Sequence, residues 1–137
     1  MKKLRIILVE NDEDEQIFMM EGFERSGMFD ILKMANSGNE LFEWMADNPS
    51  NLPEIILSDL NMSGKNGYDI ISEVKSNPAY SHIPVIITST SSTNSIINKC
   101  ISLGASEYLV KPETFINYHS FAKKLYDKLI EKKLVHL

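Results

Sequence analysis

A chain of 137 residues with 43% hydrophobic side chains carries enough apolar material for one sizeable core and fits a single domain. Its formal charge of −5 and pI near 5.2 argue against a nucleic-acid surface, which needs a basic stripe; the lysines of the tail (Lys123, Lys124, Lys128, Lys132, Lys133) read as the solvated face of a helix. The single cysteine, Cys100, excludes an internal disulfide and points to a reducing compartment.

Along the chain, the first apolar run, Ile6-Ile7-Leu8-Val9, follows Met1-Lys2-Lys3-Leu4-Arg5 and is too short for the core of a signal peptide. No segment approaches bilayer length, so the expectation is a cytoplasmic protein with no membrane partner. Short Ile/Val-rich runs signal strands buried on both faces at residues 5–9, 54–57, 84–88 and 107–110, with a weaker one at 29–34. Between them the spacing predicts helices. The first carries Ile17, Met20, Glu21 and Phe23 and ends near Gly27. Ser37-Gly38-Asn39-Glu40 reads as a capping box opening the second, whose apolar stripe is Leu41, Trp44 and Met45. The third spans 67–75 with Tyr68, Ile70, Ile71 and Val74 and stops before Pro78. Ile96, Ile97, Cys100, Ile101 and Leu103 form the fourth, closed by Gly104, and a last, longest helix runs through Phe115, Ile116, Phe121, Ala122, Leu125, Leu129 and Ile130. Five strand–helix units predict an α/β, three-layer, doubly wound parallel sheet with right-handed crossovers.

Four polar residues each close one of the apolar runs: Glu10, Asp59, Ser89 and Lys111. In an open parallel sheet the strand ends at one edge line a common crevice where ligands bind. Two carboxylates, a hydroxyl and a lysine there suit a divalent metal and a phosphoryl group. An Asp after a strand also caps turns, but that alternative leaves Ser89 and Lys111 unexplained. Tyr108 fits a core aromatic and a moving switch equally well. His82, His119 and His136 show no metal-ligand spacing, and the methionines read as core fillers.

The segments Ile7-Leu8-Val9-Glu10, Ile56-Leu57-Ser58-Asp59-Leu60-Asn61-Met62, Gly67-Tyr68, Ile83-Pro84-Val85-Ile86, Gly104-Ala105 and Tyr108-Leu109-Val110-Lys111-Pro112, in this order and spacing, resemble the receiver domain of two-component response regulators, over nearly all of residues 1–137. The resemblance implies the flavodoxin-like strand order 2-1-3-4-5. It also implies a phosphoacceptor, Asp59, taking a phosphoryl group from a sensor histidine kinase or exchanging it with a histidine phosphotransfer protein. Mg2+ would be held by Asp59, Glu10, Asn11 and the backbone carbonyl of Asn61, with Asp12 a further candidate. Lys111 would pair with the phosphoryl group, Ser89 would bond one of its oxygens, and Ser89 and Tyr108 together would form the switch. The Lys111–Pro112 bond is expected to be cis. Such a domain is not an enzyme beyond catalysing its own phosphorylation and dephosphorylation.

The chain departs from the pattern at Asn11, where the family usually places a second acid, and at Ser63, where proline is common. Loss of that charge leaves room for a second reading, a non-phosphorylated pseudo-receiver acting as a protein-interaction module. A flavodoxin-like cofactor binder lacks a phosphate-cradling loop, since residues 11–14 are acidic or amide. With a long last helix and short tail from about residue 114 and no output domain, the expectation is a stand-alone phosphoprotein in a phosphorelay. Its signalling face, and a homodimer interface, would be the surface of the fourth helix, fifth strand and fifth helix. The layout is similar to that of single-domain regulators accompanying bacterial phytochrome kinases.

Overall fold

The computed structural model describes residues 2–136. In chain order the elements are β1 (Leu4–Val9), α1 (Glu13–Ser26), β2 (Phe29–Ala35), α2 (Gly38–Asp47), β3 (Ile55–Asp59), α3 (Gly67–Ser76), β4 (Val85–Ser89), α4 (Asn94–Leu103), β5 (Glu107–Val110), a short 3-10 turn (Phe115–Asn117) and α5 (Tyr118–Glu131). The sheet is parallel throughout, in the order β2-β1-β3-β4-β5.

Alternation along the strands builds a core on each face of the sheet. Ile7, Val9, Ile56, Val85 and Ile87 face Leu41, Met45, Ile70, Ile71, Val74 and Cys100 of α2, α3 and α4. Leu4, Ile6, Leu8, Ile55, Leu57 and Ile86 face Met19 and Phe23 of α1 and Phe121, Leu125 and Leu129 of α5. Burial on both sides is why β1, β3 and β4 read as unbroken apolar runs. β2 lies at the sheet edge with four half-buried residues in its middle and a register irregularity opposite Ile6/Ile7, which is why its pattern is weak.

Local chemistry sets the boundaries. Asp12 caps α1 by accepting the Glu15 amide at 2.9 Å, and Gly27 (φ 69°) closes it in the left-handed region that favours glycine. Ser37 accepts the Glu40 amide at 3.2 Å, but the expected reciprocal half of that box is absent. The Glu40 carboxylate turns instead to the Asn36 amide and, at 3.2 Å, to Lys33. The full reciprocal box stands at α3, between Asn66 and Asp69. α1 also rotates relative to expectation: its inner face is Glu15, Met19, Gly22 and Phe23, while Ile17 is 63% exposed. The helical run expected from Phe115 begins as the 3-10 turn, and regular α-helix starts at Tyr118.

Candidate functional site

Parallel register brings the strand ends together. Val9 pairs with Ser58, Asp59 with Thr88, and Ser89 with Val110, so Glu10, Asp59, Ser89 and Lys111 all emerge at the C-terminal edge. The ladder continues one residue past β5, where the Lys111 amide donates to the Ser89 carbonyl at 2.8 Å. No cis peptide occurs among the described residues, so Lys111–Pro112 is trans, contrary to expectation. Trans is the lower-energy isomer of an X–Pro bond, and the ladder hydrogen bond fixes Lys111 before the proline is reached.

The centre of the site is the Lys111 ammonium. It lies 3.1 Å from Glu10 Oε1, 3.0 Å from Glu15 Oε2 and 3.3 Å from Asp59 Oδ1, and its side chain is only 10% exposed. Three buried carboxylates thus share one cation. Burial pushes the Asp59 carboxyl above the ordinary range, only partly offset by the charge and hydrogen bond of Lys111, and the charge of Glu15 adds to the rise. Glu10 is raised for the same reason, with Asp59 as an unfavourable neighbour; the hydrogen bond from the Asp12 amide, at 3.0 Å, works the other way. Burial alone would lower Lys111, but the charges of Asp59 and Glu10, with hydrogen bonds to Glu15 and Glu10, hold it protonated above its usual range.

On the other side of Asp59, the Ser89 hydroxyl is buried and accepts the Ser91 amide at 3.2 Å. The Tyr108 hydroxyl donates to the Ser91 carbonyl at 2.7 Å, while its ring packs in the core under α4. Tyr108 is therefore both a core aromatic and a polar tether to the loop that follows Ser89.

Of the other expected ligands, Asn11 and Asn61 are exposed, with the Asn61 backbone hydrogen-bonded to the Asp59 carboxylate, and the Asp12 side chain caps α1. Among the described residues no group of three or more His, Cys, Asp and Glu side chains converges in a metal-holding arrangement; the Lys111 ammonium stands between the carboxylates. The donor chemistry nevertheless fits a divalent cation. The acceptor groups of the pocket are all oxygen, and its three acids against one ammonium leave two negative charges uncompensated when fully ionised. A separate cavity of about 470 Å3 opens at the opposite sheet edge between Arg5, Pro53, His82, Pro84 and His136. Its carboxylate among the described residues, Glu54, is already paired with Lys2 and Arg5.

Two site residues escape reading by strand ends: Glu15 and Tyr118. Tyr118 donates its hydroxyl to Glu15 Oε2, both side chains are buried, and burial followed by that hydrogen bond pushes the phenol well above its ordinary range. The available signal is an acid at helical spacing from Met19, Gly22 and Phe23, on the stripe that packs inward.

Residues 6–122 match the family model described as the response regulator receiver domain. The chain belongs to this family. It is 28% identical over 106 residues to the two-component response regulator ORR5 of Oryza sativa subsp. japonica, covering 77% of each chain. Some curated relatives are longer than the matched part: this chain spans 52% of one and 23% of another. Among solved structures, the phosphorylated cyanobacterial phytochrome response regulator RcpA aligns with a TM-score of 0.81 at 23% identity, covering 94% of this chain and 95% of RcpA. The Mn2+-bound form of response regulator Rcp1 aligns at 0.78 and 22%, covering 98% of both. At these identities the two structures establish the fold of the receiver, with its strand order 2-1-3-4-5.

Proposed function

We propose that this receiver is a phosphoacceptor switch in a two-component phosphorelay, with Asp59 as the residue phosphorylated. The observation that carries this reading is the contact of Lys111 with both Asp59 and Glu10 in a buried, carboxylate-rich pocket at the sheet edge. In the reaction a carboxylate oxygen of Asp59 forms a bond to phosphorus as the bond from phosphorus to the donor breaks. The donor leaves as imidazole from a kinase or phosphotransfer-protein phosphohistidine, or as acetate from acetyl phosphate. Lys111 balances charge on the phosphoryl oxygens, and the receiver promotes only its own phosphorylation and dephosphorylation. Glu10 and Asp59, with Asn11, the Asn61 carbonyl and Asp12 as further candidates, would hold Mg2+. When bound, the ion would neutralise the remaining excess of negative charge. That Rcp1 has a Mn2+-bound form supports a divalent cation here.

New charge at Asp59 acts on Ser89, two residues from the Ser91 carbonyl that Tyr108 holds. The affected surface is α4–β5–α5, where Ile101, Leu103 and Val110 are exposed. Those side chains support its use for a signalling partner or a homodimer. No described helix is long and apolar enough to cross a membrane; together with the lone cysteine this supports a cytoplasmic setting. Incubation with acetyl phosphate, with and without Mg2+, followed by intact mass and adduct mapping, tests the reading. One phosphoryl group on Asp59, dependent on Mg2+, is the expected result. A folded protein that takes none at any Mg2+ concentration would instead establish the pseudo-receiver, the reading favoured by Asn11 standing where an acid is usual.

A further inference from the structure

We infer that Glu15 and Tyr118 form a positioning pair that competes with Asp59 for the Lys111 ammonium and so sets how much of its charge the reacting carboxylate receives. This rests on the reading of Asp59 as phosphoacceptor. An ammonium has three N–H donors, and three carboxylates surround this one. Asp59 makes the longest contact, 3.3 Å, whereas Glu15 presents both oxygens, at 3.1 and 3.0 Å. Glu15 comes from a helix rather than a strand end and is fixed from behind by the Tyr118 hydroxyl.

Tyr118 is itself placed by backbone packing. Gly22 lies two turns beyond Glu15 on the same face of α1, and a Cβ there would stand 2.7 Å from backbone atoms of Tyr118 and His119. The bare glycine lets the start of α5 close on α1 and brings the phenol under Glu15. The hydroxyl also shares the Glu15 charge, which tempers its pull on Lys111. Neutralising Glu15 therefore hands Lys111 to Asp59, while removing the Tyr118 hydroxyl leaves the Glu15 charge to Lys111 alone. The two substitutions act with opposite sign.

The test compares the limiting rate of Asp59 labelling by acetyl phosphate at saturating Mg2+, followed by intact mass, with thermal unfolding as a check of folding. Glu15→Gln is expected to raise the rate severalfold and Tyr118→Phe to lower it severalfold. In a Lys111→Met background the gain from Glu15→Gln should vanish, since it acts through the ammonium. Both single variants slowing together would indicate a merely structural role, and a gain that persists without Lys111 would indicate general relief of negative charge; either result overturns the inference. A second measurement needs no phosphodonor: 15N-lysine NMR of the Lys111 ammonium. Its protection from solvent exchange should survive Asp59→Asn alone, since Glu15 holds the ammonium, and fall when Glu15→Gln is added to that variant. A wild type that takes no phosphoryl group refutes the Asp59 reading. The ammonium signal then decides the pair: protection that does not change when Glu15→Gln is added to Asp59→Asn overturns it, and protection lost on that addition upholds it.

Discussion

The two sides of the Asp59 crevice are built differently. On the α1–α5 side, six residues of α5 are buried (Tyr118, Phe121, Ala122, Leu125, Tyr126 and Leu129), aromatic rings of α1, β2 and α5 touch one another, and Gly22 brings backbone against backbone. On the other side α4 buries a single residue, Cys100. Its N-cap Thr93 makes no side-chain capping bond, and Ile101 is 45% exposed. Lys111 and Glu15 belong to the firm side, Ser89 and the loop anchored by Tyr108 to the soft one. A charge added between a rigid wall and a pliable one is relieved by movement of the pliable one, because well-packed elements resist displacement while sparsely buried ones open at low cost.

The sharpest contrast is in stability. Leu125→Ala empties a fully buried position on α5 and is expected to cost about 2–5 kcal/mol, whereas Ile101→Ala on α4 should fall within about 0.5 kcal/mol of wild type. Urea unfolding of both variants measures this directly, and equal losses would erase the distinction between the walls. Gly22→Ala comes next. Its new methyl group meets backbone, which cannot rotate away, so we expect a loss of about 1–3 kcal/mol together with displacement of the start of α5. An alanine variant as stable as wild type would show that the α1–α5 contact yields more readily than its geometry implies.

A smaller effect, of opposite sign, is expected inside the crevice. Burial raises Asp59 above the pKa it has in the unfolded chain, so its ionised form opposes folding. That penalty is present in full above the folded-state pKa and is relieved as pH falls through it. Asp59→Asn carries no such charge. Without divalent cations it should unfold at a higher temperature than wild type at neutral pH, with the gap narrowing on acidification. A variant less stable than wild type at neutral pH would mean that the Lys111 contact outweighs burial. The same variant should accept no phosphoryl group, and labelling at full stoichiometry would refute Asp59 as the acceptor.

Most of the fold was legible because strands buried on both faces leave continuous apolar runs and the helices between them carry strong stop signals, Gly27 and Gly104 among them. The strand-end residues were legible for the same reason: knowing where a parallel strand stops is knowing what lines the crevice. Glu15 and Tyr118 were not, since one looks like an ordinary acid in the first turn of a helix and the other like a core aromatic. Only the packing of α1 on α5 makes them partners. The rotation of α1 had the same origin, because Ile17 and Met20 offered an apolar face that the Glu15–Lys111 contact and the closeness of Gly22 to α5 override. At Ser37 the motif was present, but Glu40 found better partners in Asn36 and Lys33 than the N-cap amide.

The smallest expected change in the fold concerns the loop between β1 and α1, at the mouth of the crevice. Asn11 is exposed and contributes a neutral amide, while Asp12 next to it spends its carboxylate on the α1 N-terminus. An acid at position 11 would add charge at the mouth of a pocket already rich in carboxylates, so Asn11→Asp should tighten Mg2+ binding, by about tenfold if the added charge is worth some 1.4 kcal/mol to the bound ion. The fold itself should change little, since the side chain points to water. Isothermal titration of Mg2+ into wild type and variant reads the difference. Unchanged affinity would mean that Asp12 already serves the ion by leaving its cap. In that case Asp12→Asn, which keeps a capping oxygen but no charge, should weaken Mg2+ binding while leaving α1 in place.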